Sequence, residues 1–136
     1  MIKLCYKEYD YKITNGACKS FFDKTGLDLQ IVLAEYIAEN CAHPEQTLLQ
    51  RMINLGKLHS RDVVNQALYA VIKPCHSEVS LDEICDATYR IGWQLSERPD
   101  DMSEPYPVVM WNLALDYNEY CNNNIPTDTK KKVADI

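Results

Sequence analysis

The residues of this chain that could do chemistry are few and dispersed. Cys75 and His76, beside Pro74, are its one adjacent cysteine and histidine. A thiol nucleophile needs a base facing it and a third group to orient that base. Side chains adjacent in sequence rarely face each other, so this pair reads as plain loop. His43, His59 and His76 all fall at predicted helix ends or in loops, where histidines are usually solvated or capping rather than metal ligands. Glu97, Asp100, Asp101 and Glu104 crowd one stretch, but their spacing is not that of a calcium-binding loop, and the glycine such a loop needs for its sharp turn is missing. They read as a solvated acidic loop whose negative surface suits a basic partner. No glycine-rich phosphate loop, zinc-protease helix or nucleophile elbow occurs. The expectation is a protein that is not an enzyme and uses no cofactor or metal.

The elements that would carry these residues fit one domain. At 136 residues with 46% hydrophobic content, the chain can bury a core without disulfides or metals. A net charge of −6 argues against a general nucleic-acid binder, which needs clustered Lys and Arg to meet phosphates. No apolar run is long enough to span a membrane, and the first residues, MIKLCYKEYDYK, lack a signal-peptide hydrophobic region, so a cytoplasmic protein is expected. Six cysteines, at 5, 18, 41, 75, 85 and 121, are widely spaced with no C-x-x-C pair. They are expected to be reduced and mostly buried.

Hydrophobic periodicity predicts a predominantly α-helical α+β fold: five to six helices and a short N-terminal β-hairpin in residues 1–125, followed by a flexible tail, 126–136. Leu4, Tyr6, Tyr9, Tyr11 and Ile13 alternate with polar residues around Lys7-Glu8, which predicts the hairpin. Thr14 or Asn15 can cap a first helix with Ala17, Cys18, Phe21 and Phe22 on its apolar stripe, stopped at Gly26. Asp28 can cap a second, with Leu29, Val32, Leu33, Tyr36, Ile37 and Cys41 inward. Pro44 suits the first turn of a third, partly exposed helix carrying Leu48, Leu49, Met52, Ile53 and Leu55. Ser60 opens a fourth, and Ser80 with Glu83 forms a capping box for a fifth. After the proline-rich acidic stretch, Ser96 to Pro107, a last helix carries Trp111, Tyr117 and Tyr120 and ends at Asn122 to Pro126. The stretch from Tyr9 to Leu33 is expected to be the folding centre on which the later helices pack.

Nine tyrosines and two tryptophans exceed what one small core hides. Tyr6, Tyr9 and Tyr11 on the hairpin, with Tyr106 and Trp111 around the acidic loop, are therefore candidates for a partner surface.

The order of an alternating hairpin, then ACKSFFDKTGLDL, then helices reaching SLDEICDATYRIG, resembles the tail assembly chaperones of long-tailed phages and gene transfer agents. The likeness covers Tyr9 to Gly92 and rests on two short patterns. One is an aromatic, acid, Thr-Gly and hydrophobic corner at Phe22 to Leu29; the other is a helix opened by Ser with Leu and Glu. The resemblance implies a non-enzymatic protein that binds the tape measure protein, keeps it soluble and recruits tail tube subunits, in several copies along one partner. Such proteins act in the host cytoplasm and are expected to be absent from the finished virion. In the family a ribosomal frameshift often lengthens some copies, and the codons of Lys130, Lys131 and Lys132 would be the corresponding slippery run, against a plain solvated basic tail. The alternative is a structural connector or tail completion protein retained in the particle.

Overall fold

Short polar side chains start the helices. In the computed structural model, which describes residues 2–4, 7–89 and 106–124, strands β1 (Ile2–Leu4) and β2 (Lys7–Tyr9) pair antiparallel, Ile2 opposite Tyr9 and Leu4 opposite Lys7. Six helices follow among the described residues: α1 (Asn15–Thr25), α2 (Leu29–Ala42), α3 (Leu48–Gly56), α4 (Arg61–Ile72), α5 (Leu81–Tyr89) and α6 (Tyr106–Asn124). The predominantly helical fold with a small β element is thus the observed one.

Each orphaned first-turn N–H needs an acceptor, and side-chain oxygens provide several. Thr14 Oγ1 accepts from Ala17 N at 3.0 Å, Asp28 Oδ1 from Gln30 N at 2.9 Å, Ser60 Oγ from Val63 N at 3.3 Å and Ser80 Oγ from Glu83 N at 3.1 Å. α1 ends where Gly26 adopts φ 73° and its N–H returns to Phe22 O at 2.7 Å. Thr25 finishes that corner: its hydroxyl donates to Phe21 O at 2.8 Å and accepts from Leu27 N at 3.1 Å. The Thr-Gly corner quoted for the family likeness is therefore a helix stop, its residue types set by backbone geometry.

Several expectations need correction. Lys7 and Glu8 belong to β2 itself, so the connection lies earlier, between Leu4 and Lys7; the alternating register is shifted along the chain. Pro44 does not open α3. Thr47 does, in a reciprocal capping box in which Thr47 Oγ1 accepts from Gln50 N and Gln50 Oε1 from Thr47 N, and this satisfies two donors where a proline would merely avoid one. At α5 the Glu83 carboxylate reaches the hairpin: its Oε2 accepts from the Tyr9 hydroxyl at 2.8 Å and lies 3.7 Å from Lys7 Nζ. Phe22 is 56% exposed and Cys41 is exposed, so neither belongs to the core stripe expected of it. The five described cysteines are free, and none is fully buried.

The core is centred on α4, not on residues 9–33. Val64, Ala67, Leu68, Ala70, Val71 and Ile72 are buried, together with the polar Asn65. α4 packs against α1, α5 and α6; α2 packs against α6 and α3; β1 rests on α5 and α6. Inside the core, Asn65 Oδ1 accepts from the Thr88 hydroxyl on α5 at 2.5 Å. Residues 90–105, which include most of the acidic stretch, and 125–136 lie outside the described residues. No helix among the described residues is long and apolar enough to cross a membrane.

Candidate functional site

Between β2 and α1, residues 10–14 form neither helix nor strand, and this run faces α6. Lys12 N donates to Val71 O at 2.8 Å, tying the segment to the last turn of α4. At its start, Asp10 N donates to His76 Nε2 at 3.1 Å. With the segment fixed at two points, a cleft of about 620 Å³ opens beside it, lined by Asp10, Tyr11, Lys12, Ile13 and Thr14 on one side and by Asp116, Tyr117 and Tyr120 on the other.

The α6 residues reach the cleft by helical spacing. Asp116 and Tyr120 are one turn apart on one flank, while Met110, Leu113 and Ala114 turn inward. Tyr11 bridges the two walls, its hydroxyl donating to Asp116 Oδ2 at 2.5 Å. Partial burial, then that bond and the carboxylate's charge, push the Tyr11 hydroxyl well above its ordinary range, so it stays a donor. The Tyr117 hydroxyl accepts from Gln30 Nε2 at 2.6 Å. Burial first, then the hydrogen bond to the Cys121 thiol, push it up from 10.0 to about 12, against a smaller opposing pull from Gln30. Tyr120 is 63% exposed.

The Tyr11 and Tyr117 hydroxyls of the cleft are thus both held in the protonated form. The thiols of Cys18 and Cys85 are also pushed up, mainly by burial, the reverse of what reactive cysteines need. His76 is occupied as a structural link. Its Nε2 accepts from Asp10 N, its Nδ1 lies 3.5 Å from Glu78 Oε1, and its ring meets that of Tyr9 edge-on at 5.6 Å. His59 lies 3.4 Å from Glu35 Oε1 and beside the Tyr36 ring. Among the described residues, no cluster of three or more His, Cys, Asp or Glu could hold a metal ion.

The expected partner residues do not share one surface. Tyr9 is a core residue, 2% exposed, because the strand face that carries it packs inward and its hydroxyl finds Glu83. Tyr11 lines the cleft. Trp111 is half-buried against the core. Tyr6, the Tyr106 side chain and Lys130, Lys131 and Lys132 fall outside the described residues. Sequence reasoning missed Asp116 and Lys12 and took Tyr117 and Tyr120 as general aromatic load. The i, i+4 spacing of Asp116 and Tyr120 on α6 hinted at one flank, but nothing local paired that flank with residues more than a hundred positions earlier.

A second surface lies on α3. Leu49 and Ile53, one turn apart, are 61% and 50% exposed, while Leu55 is buried. The chain matches no family model, no curated protein and no solved structure.

Proposed function

We propose that this protein is a non-enzymatic binding domain acting as a phage tail assembly chaperone. It would hold the tape measure protein soluble and recruit tail tube subunits in the host cytoplasm. The observation that carries the binding role is the Leu49 and Ile53 pair. Two large aliphatic side chains are left in water one helical turn apart, at the spacing by which an apolar stripe of another helix docks. The tyrosine cleft adds amphipathic contact area of the kind enriched at interfaces. The more specific role draws on the order of elements and patterns from Tyr9 to Gly92.

The test is co-purification with a tape measure protein. The wild type is expected to recover that partner, and the double variant Leu49→Asp with Ile53→Asp to lose at least about tenfold of it, a loss of ~1.4 kcal/mol or more. Because both positions are exposed, its stability should stay within about 1 kcal/mol of wild type. No recovery by wild type at low or moderate salt would sink the chaperone role. Mass spectrometry of purified virions checks transience: the chain should be absent, and a stoichiometric presence would replace the chaperone by a retained connector.

A further inference from the structure

We propose that the cleft between Asp10–Thr14 and α6 receives a lysine or arginine side chain of a partner protein. The inference rests on reading the chain as a protein-binding domain and names the partner's chemistry at one place. Three phenol rings, those of Tyr11, Tyr117 and Tyr120, stand at the cleft with the carboxylates of Asp10 and Asp116. Between residues 106 and 124 the helix carries no Lys, Arg or His, and its charges are Asp116 and Glu119. The charge on that wall is therefore negative, beside the phenols of Tyr117 and Tyr120.

Such a lining discriminates among ligands. An anion would meet Asp10 and Asp116. A purely apolar group would strip water from those carboxylates without replacing it, which is costly. A basic side chain satisfies both parts, its methylene stem lying on the rings and its charged head on ring faces and carboxylate oxygens. The Tyr11 hydroxyl prepares the site by holding Asp116 through Oδ2, and a carboxylate can accept further hydrogen bonds beyond that one. A volume of about 620 Å³ is ample for one such side chain with its neighbouring backbone. Lys12 is the cleft's own cation and competes for the same charge.

The full chain is titrated by calorimetry with a short blocked peptide alternating glycine and lysine, and with its glutamate counterpart. Saturable binding of the lysine peptide alone is expected. Tyr120→Ala should weaken it about fivefold, as loss of a cation–π contact does. Asp116→Asn should weaken it about threefold while its amide oxygen still accepts from Tyr11, and Lys12→Ala should tighten it about twofold. Both Tyr120 and Lys12 are exposed, so these variants keep the fold, which near-ultraviolet circular dichroism checks. Equal binding of the glutamate peptide, or affinity unchanged in Tyr120→Ala, overturns the proposal. The triple variant Lys130→Ser, Lys131→Ser and Lys132→Ser should leave affinity unchanged; a gain above about threefold would make the chain's own lysines the occupant and overturn the partner assignment. If the lysine peptide fails while the wild type still recovers the tape measure protein, the cleft assignment falls and the chaperone role stands. The opposite pattern removes the chaperone role alone.

Discussion

Tyr9 and Tyr11 sit two positions apart, a spacing that places both on one face of a strand, yet only Tyr9 is buried. β2 ends at Tyr9, so the pleat no longer aims Tyr11, and the ties of Asp10 and Lys12 to His76 and Val71 aim it instead. Tyr9→Phe keeps the buried ring and removes the bond to Glu83. It should cost about 1 kcal/mol in urea unfolding, and an unchanged midpoint would show that the bond adds nothing net. Alkali tests the cleft phenols. Tyr11 and Tyr117 hold their protons more tightly when folded than the ordinary 10.0. Above pH ~10 the folded state therefore binds more protons than the unfolded one, and stability falls as pH rises. Cys18 and Cys85, raised from 9.0, act in the same direction from slightly lower pH. Unfolding midpoints should thus drop between pH 9 and 11, and Tyr11→Phe should flatten the slope; a slope unaltered by that substitution would contradict the assignment.

Four helix starts and one helix stop were readable from a single residue each. Thr14, Asp28, Ser60 and Ser80 all cap as their types and positions suggest, and Gly26 stops α1. Gly26→Ala isolates the backbone contribution, since a Cβ there would meet nothing within 4 Å while φ is +73°. The variant should lose about 1–2 kcal/mol in thermal or denaturant unfolding, and a neutral result would mean the corner relaxes. The start of α3 was misread because Pro44 is a plausible first-turn residue, whereas the helix is opened three residues later by the reciprocal Thr47–Gln50 pair. That α3 is partly exposed was anticipated, but Leu49 and Ile53 were grouped with Leu55, which alone of the three is buried, and the exposure of Phe22 was not foreseen: a stripe at helical spacing says which residues share a face, not how far the neighbouring helix extends to cover them.

For the molecule as a whole, composition and periodicity gave the helical class, but not its centre. α4 is the most enclosed helix because α1, α5 and α6 close around it, a property of the packing and of no residue in α4 alone. The cleft was hidden for the same reason. Its walls are distant segments, and the carboxylate that Tyr11 holds lies 105 residues further on. That separation governs when the cleft can exist. During synthesis the Asp10–Thr14 wall is made early, but the facing wall is missing until Asp116 to Tyr120 have been translated and α6 has folded back over α2 and α4. A nascent chain lacking α6 has a tyrosine with no carboxylate to hold it and no aromatic flank opposite. The cleft is therefore complete only in molecules whose last described helix is in place.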